Sequence, residues 1–276
     1  LTKDIRLVIC DLDGTLLNSE KKITERLKNN VDELHQNGIL FSICTGRIPG
    51  MMRLYSKKLN IKIPTIASNG AYITDINFQN TIYKKVMDFC QVKGVMEYLR
   101  NNNIQFAVLT DCQAYFTGEG DFQTNFILYN RDAASFNMSM EILYVPKVLD
   151  GLKDKDITKL LVFTQHDEEA EKVEEYIKVN TNFYCTSSRK NLLDIGPNGV
   201  NKGKGVELLA NELGIRLEQV CVFGDYYNDI SMFNKAGLSI AMGNAVEELK
   251  GVADYITDDN DSEGVSKAIE KILLKR

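Results

Sequence analysis

The chain of 276 residues holds 38 Asp and Glu against 33 Lys and Arg, and 44% of it is hydrophobic. Its formal charge of -5 argues against a nucleic-acid binder, which carries a basic surplus, and no apolar run is long enough to span a membrane. Such a length admits a large core and two domains. Asp4 and Arg6 fall where the apolar core of a signal peptide would begin. The cysteines (Cys10, Cys44, Cys90, Cys112, Cys185 and Cys221) form no CxxC, so a reducing, cytoplasmic setting is expected. With His35 and His166 the only histidines, a His-ligated zinc centre or a His-dependent triad is disfavoured. The acids must carry any chemistry.

In chain order, Leu7-Val8-Ile9-Cys10 reads as a short strand covered on both faces, the pattern of a central parallel strand. It stops at Asp11-Leu12-Asp13-Gly14-Thr15, two carboxylates followed by a residue that lets the chain turn sharply. Ligands of open α/β sheets bind beyond the carboxyl ends of the strands, and two anions held there are costly unless they share a cation. Oxygen ligands of this kind suit Mg²⁺, which takes part of its shell from water and substrate phosphate. The plainer account is an Asp-Gly turn at a strand end.

Ile23 to Asn37 reads as an amphipathic helix, with Ile23, Leu27, Val31 and Leu34 on one face. Ile39–Cys44 is a second strand and ends at Thr45-Gly46-Arg47. A helix over Pro49–Leu59 leads to a third strand, Thr65–Ala67, which ends in Ser68-Asn69-Gly70. This alternation implies a parallel sheet with right-handed crossovers. Ala71–Thr74 and Thr81–Lys85 look like a hairpin.

From about Phe89 to Arg189 the rhythm changes. A helix near Gln91–Asn101 precedes strands at Gln105–Leu109, Ala114–Phe116, Glu141–Val145, Lys159–Phe163 and Asn182–Thr186, with a mixed stretch at Phe122–Tyr129 and a charged helix at Glu168–Val179. No strand here ends in an acid cluster, which marks an α+β insert. The doubly wound pattern then resumes with a helix over Gly203–Leu213 and a strand, Gln219–Phe223, running into Gly224-Asp225-Tyr226-Tyr227-Asn228-Asp229. Ile230–Ala236 and Val246–Val252 read as helices, Leu238–Met242 and Tyr255–Thr257 as strands, and Gly264–Lys275 as a terminal helix. The expected fold is α/β, a doubly wound Rossmann-like parallel-sheet core over 1–85 and 190–276 with an inserted α+β cap domain over 86–189.

Asp11/Asp13, Thr45-Gly46, Lys202-Gly203 and Asp225 with Asn228 and Asp229 together resemble the four motifs of the haloacid dehalogenase superfamily. Ser68-Asn69-Gly70-Ala71, Gly199-Val200-Asn201-Lys202-Gly203 and Met242-Gly243-Asn244-Ala245 extend the likeness to its Cof-type phosphatases, which act on sugar phosphates and other small phosphorylated metabolites. The resemblance implies that Asp11 is the nucleophile that becomes an aspartyl phosphate. It makes Asp13 the general acid and then base, and a Mg²⁺ ligand through its backbone carbonyl beside Asp11 and Asp225. It assigns the phosphoryl group to Leu12 (through its amide), Thr45, Gly46, Lys202 and Asn228, and a supporting place behind the metal to Asp229. Arg47, Asn69, Tyr226 and Tyr227 are candidates for substrate or cap contact.

Each motif has a plainer account. Thr45 before a helix is an N-cap, Lys202 a solvated lysine close to Lys190 and Lys204, and Asp229 a favourable charge at a helix start. The relatives place a small or polar residue after Gly-Asp, where this chain has Tyr226-Tyr227.

About thirty residues separate Asp11 from Thr45, room for one helix and one strand, whereas about 155 separate Thr45 from Lys202. The excess is a cap of roughly 100 residues, an ordinary small-domain size, at the place of the α/β cap in the Cof-type branch. The expectation is a Mg²⁺-dependent phosphomonoesterase acting on a small phosphorylated metabolite, with no nucleic-acid or membrane partner. A phosphomutase using the same aspartyl phosphate and a non-catalytic sugar-phosphate sensor are the alternatives.

Overall fold

The computed structural model describes residues 4–120, 123–189 and 191–275. Phe122, at the start of the mixed stretch, and Lys190 lie outside them. The chain divides into two compact units: 1–47, 55–83 and 201–276 form the first, and 48–54 with 84–200 the second.

The first unit begins with β1 (Leu7–Cys10), every residue of which is buried. Helix α1 (Glu25–Gln36) follows, where Thr24 as N-cap accepts from the Leu27 N–H and Leu27, Val31 and Leu34 face inward. Next are β2 (Leu40–Ile43), α2 (Pro49–Lys58), β3 (Thr65–Ala67), β4 (Tyr72–Thr74) and β5 (Thr81–Lys84). The opening residues of α2, through Leu54, group with the second unit.

In the second unit α3 (Phe89–Asn101), β6 (Gln105–Leu109), β7 (Gln113–Phe116), α4 (Thr124–Ala133), β8 (Glu141–Tyr144), β9 (Lys159–Phe163), α5 (Asp167–Asn180), β10 (Tyr184–Arg189) and β11 (Leu192–Gly196) come in turn. The first unit is completed by α6 (Lys202–Glu212), β12 (Val220–Gly224), α7 (Ile230–Phe233), β13 (Leu238–Ala241), α8 (Glu247–Lys250), β14 (Tyr255–Ile256) and α9 (Gly264–Ala268).

Among the described residues the first unit has a five-stranded sheet in the order β14-β13-β12-β1-β2, parallel throughout. With β1 at its interior, flanked by β12 and β2, the apolar run Leu7–Cys10 needs no polar face. The register sets Cys10 opposite Phe223 on one side and Ile43 on the other. The residues just past all three strands therefore emerge at one level.

β3 joins the parallel sheet only at its edge, by a parallel bridge, and also serves a second sheet. It meets β2 through the single parallel Cys44–Ile66 bridge and opens an antiparallel sheet in which β3 and β4 pair, in the order β3-β4-β5. The cause is local: a three-residue strand runs straight into Ser68 and Asn69, both left-handed at φ 49° and 53°, and the chain turns back on itself.

The second unit carries a six-stranded sheet, β10-β11-β9-β6-β7-β8, antiparallel except for the β7–β8 pair. Alternate residues Phe106, Val108, Leu160, Val162, Leu193 and Ile195 pack with Val92, Val95, Met96 and Leu99 of α3 and Val173 and Ile177 of α5. The mixed stretch is the helix α4, which buries Phe126, Tyr129 and Ala133. Strand β11 has no counterpart in the sequence reading, because Asp194 interrupts its apolar run. The acid is accommodated by Lys159 on the neighbouring β9, at 2.7 Å.

Candidate active site

The register of β1, β12 and β2 brings Asp11, Asp225 and Thr45 to the same end of the sheet. The Asp11 N–H donates to the Phe223 carbonyl at 2.9 Å and the Cys44 N–H to the Cys10 carbonyl at 2.9 Å, so the ladder continues up to the candidate residues. Beyond β12, the Asp229 Oδ2 accepts from the N–H groups of Asp225 and Tyr226 at 2.9 and 3.0 Å. That closes the turn Asp225–Asp229 on itself.

Lys202 opens α6, whose N-cap Asn201 accepts from the Lys204 N–H at 2.8 Å. This helix approaches α7 closely enough that a Cβ on Gly203 would lie 2.1 Å from the Ser231 carbonyl oxygen. Glycine is required there. The approach delivers the Lys202 ammonium, 1% exposed, to Asp11 Oδ1 and Asp229 Oδ1, each at 2.6 Å. That burial excludes the plainer account of Lys202 as a solvated lysine.

Asp11, Asp225 and Asp229 each offer one oxygen within 4.8 Å of the others. Three carboxylates thus face one ammonium. Burial raises the Asp11 carboxyl well above its usual value, Lys202 opposes this, and Asp229 and Asp225 add to it. Burial and then Asp229 push Asp225 up to about 7. Burial would lower Lys202, but the two carboxylates hold it above the ordinary lysine value.

The donor set fits a hard divalent cation. Asp229 has both oxygens committed to Lys202 and to backbone N–H groups. Asp11 uses Oδ1 on Lys202, and Asp225 uses Oδ1 on the Thr15 hydroxyl at 2.7 Å, so each keeps an oxygen for a metal. Gly14 stands close to that place, at φ +84°, and a Cβ on it would lie 2.3 Å from Asp225 Oδ2. A side chain here would occupy the space the open oxygen faces.

Asp13 belongs to a second cluster. Its carboxylate pairs with Arg47 through both oxygens, Nε to Oδ2 and Nη2 to Oδ1, each 2.6 Å. Lys21 Nζ adds a contact to Oδ1 at 3.0 Å. Burial alone would raise this carboxyl, but Arg47 and Lys21 hold it well below the usual carboxylate range. Arg47 is braced in turn by the Tyr55 hydroxyl at 2.9 Å, with its guanidinium 5.3 Å from that ring.

The remaining candidates are arranged in pairs. The Leu12 carbonyl accepts from the N–H groups of Leu16 and Leu17, closing the turn behind Asp11. The buried Thr45 accepts through Oγ1 from the Arg47 N–H at 3.2 Å and through its carbonyl from the Asn69 N–H. Its hydroxyl proton stays available, and Gly46 sits between these two bonds. Asn228 Nδ2 donates to Asn69 Oδ1 at 3.1 Å. Tyr226 and Tyr227 meet edge to face with centroids 5.0 Å apart, and the Tyr227 hydroxyl turns to Glu248 on α8.

Lys21, Tyr55 and Thr15 are residues that the motif reading passes over. Thr15 follows Asp-Gly directly and could have been found as a hydroxyl next to an acid. Nothing in the spacing of Lys21 or Tyr55 points at Asp13.

A sheet with two acids at its centre, an inserted second unit and a buried lysine opposite the acids define a hydrolase of one family. The haloacid dehalogenase-like hydrolase profile matches residues 8–269, and the chain belongs to that family, in its Cof-type phosphatase branch. It is 32% identical over 286 residues to the 5-amino-6-(5-phospho-D-ribitylamino)uracil phosphatase YwtE of Bacillus subtilis, with 98% of each chain covered. A second phosphatase named for the same compound, YcsE of that organism, is 30% identical over 271 residues, covering 98% of this chain and 97% of its own.

Two solved structures carry the likeness into three dimensions. A haloacid dehalogenase-like hydrolase from B. subtilis superposes with a TM-score of 0.85 at 26% identity, covering 97% and 100% of the two chains. One from Bacteroides thetaiotaomicron gives 0.82 at 27%, covering 97% and 99%. Among the described residues no helix is long and apolar enough to cross a membrane.

Proposed function

We propose that this phosphatase is a Mg²⁺-dependent phosphomonoesterase that passes the phosphoryl group through Asp11, and that its substrate is a phosphorylated polyol or sugar. The observation that carries the reading is the charge imbalance at Asp11, Asp225 and Asp229, where one buried ammonium faces three carboxylates. Asp11 and Asp225 would hold a divalent cation, which would neutralise the phosphoryl oxygens and lower the repulsion between the anions.

Asp11 supplies the attacking oxygen. Its bond to phosphorus forms as the bond from phosphorus to the ester oxygen breaks, and the leaving alkoxide takes a proton from Asp13. Water then attacks the phosphoaspartate and gives a proton to Asp13, releasing inorganic phosphate and restoring the Asp11 carboxylate. Lys202, held by Asp11 and Asp229, is placed to share its charge with the transferring group. Thr45 and Leu12 add neutral donors. Arg47 and Lys21 keep Asp13 ionised in the resting protein, the form that accepts a proton. A dianionic phosphate arriving beside it works in the opposite direction and raises its proton affinity, so Asp13 takes up a proton from solvent as the substrate binds and carries it into the first step.

The relatives named for a ribityl phosphate motivate the polyol class. The second unit supplies none of the residues above, so we assign to it the choice of leaving alcohol. Six free cysteines suit a reducing cytoplasm. The test is an assay of free phosphate across a panel of phosphorylated metabolites, with Mg²⁺ and with a chelator. The expected result is metal-dependent release of inorganic phosphate. Isomerisation of a hexose phosphate without release, or release indifferent to the chelator, overturns the reading.

A further inference from the structure

We propose that Lys21 is a positioning residue for Asp13, and that the loop bearing it is strapped in place by Asn244, Asn260 and Asp261. The inference rests on the role given to Asp13 above.

The geometry at Asp13 is asymmetric. A carboxylate offers about four acceptor positions. Arg47 fills one on each oxygen, and Lys21 fills a second on Oδ1. The open position is therefore on Oδ2. Arg47 alone fixes the plane of the carboxylate but treats its two oxygens alike. Lys21 distinguishes them, and so selects the oxygen that can exchange a proton with the leaving group.

A lysine with 37% of its side chain exposed is a poor anchor by itself, because a long flexible stem gives up much freedom for a screened ion pair. The loop supplies what the side chain lacks. Lys21 sits at φ +60°, in a turn where its N–H donates to the Asn18 carbonyl at 2.8 Å and the Lys22 N–H donates to Asn18 Oδ1 at 2.9 Å. This backbone geometry aims the side chain back towards the end of β1.

Four bonds from the other end of the chain hold the turn. Asn244 Nδ2 donates to the Gly14 carbonyl and Asn260 Nδ2 to the Leu17 carbonyl, both at 2.9 Å. Asp261 accepts from the Ser19 N–H at 2.7 Å and from its hydroxyl at 2.6 Å. The Asn260 N–H donates to Asn244 Oδ1 at 3.1 Å and makes the two asparagines one unit. Asp261 touches neither Asp13 nor any residue given a chemical role, so its effect on the reaction must pass through the loop.

The experiment measures kcat/KM for p-nitrophenyl, phenyl and ethyl phosphate, whose leaving groups need progressively more help from an acid and lack the hydroxyls of a natural substrate. Since general acid catalysis is worth about 10²–10⁴-fold and small misplacement forfeits much of such a gain, Lys21→Met should lower the ethyl phosphate value ~10-fold or more and the p-nitrophenyl value less than ~2-fold. Lys21→Arg should restore most of the loss. Asp261→Ala should show the same dependence on leaving group to a lesser degree, and Lys21→Met/Asp261→Ala should be no worse than Lys21→Met. Equal losses on all three esters, no loss on any, or additive losses in the double variant overturn the proposal. Asp13→Asn is run alongside. If it spares ethyl phosphate, the role of Asp13 fails; if it abolishes that activity while Lys21→Met does not, the positioning inference alone fails.

Discussion

Two lysines are buried among the described residues, and they sit in different kinds of site. Lys159 in the second unit lies 2.7 Å from Asp194, with 5% and 0% of the two side chains exposed. Lys202 in the first unit is 1% exposed and shares its ammonium between two carboxylates, with Asp225 as a third acid close by. The first sets one buried cation against one buried anion, and their charges cancel within the sheet. The second leaves negative charge over, and that surplus is what a cation and a phosphoryl group would complete. A buried ion pair by itself is weak ground for stability or function; an unbalanced one at the end of parallel strands points to a ligand.

The contrast is broken most severely by Asp11→Asn. The amide cannot attack phosphorus, so phosphate release should fall at least ~10³-fold, as losses of a nucleophile do. Circular dichroism should show an unchanged fold, since the variant relieves repulsion. Retained turnover, once deamidation is excluded by mass spectrometry, removes the covalent route. Asp225→Ala comes next. Taking an open oxygen from the cation site should raise the Mg²⁺ concentration for half-maximal activity by at least the roughly 10–100-fold that loss of a ligand's supporting partner brings, and an unchanged midpoint counts against a ligand role.

In the second unit the measurement is stability. Lys159→Met leaves Asp194 buried without its cation and should cost about 3–5 kcal/mol in urea unfolding, whereas Lys159→Met/Asp194→Leu should recover most of that loss. Mg²⁺ should not alter either result. If the double variant stays as unstable as the single one, the pair is not self-contained and the contrast fails.

The smallest effect concerns His35, whose Nε2 is buried without a hydrogen-bond partner among the described residues. Burial lowers its pKa, with Asp32 opposing and Lys62 assisting. The unfolded chain then binds the proton more readily than the folded one. Stability from this group is full above the unfolded value of about 6.5 and is lost as pH falls below it. Against His35→Gln, the wild type should lose a little stability between pH 7 and 5; a gain would reverse the sign.

The strands that end in acids were legible because their surroundings are simple. A strand covered on both faces reads as an unbroken apolar run, and Leu7–Cys10 or Val220–Phe223 can be little else. Lys202 was legible through its motif string, though its contact with Asp229 was not, since that bond depends on how closely α6 meets α7 at Gly203. Strand β11 escaped because its acid breaks the apolar pattern, and the partner that makes the acid tolerable lies more than thirty positions earlier, at Lys159. Arg47 was legible as a candidate but not as the partner of Asp13. Long cationic side chains reach several ångströms in directions that no periodicity records, and Lys21 and Tyr55 escaped for the same reason.

The interior place of β1 also bears on how the protein is made. Leu7 pairs with Leu40 on one side and with Val220 on the other, so one neighbour follows almost at once while the second comes 180 positions after the first. At 5–20 residues per second the ribosome takes roughly 10–40 s to cover that interval. Throughout it the nascent chain exposes the bare edge of its most apolar strand, the kind of edge that pairs with other chains. The contiguous stretch 84–200 has no such wait and can fold while the edge stands open. Slowing translation just before codon 220 should therefore lower the soluble yield more than the same pause placed after codon 256, once β12, β13 and β14 have closed the sheet.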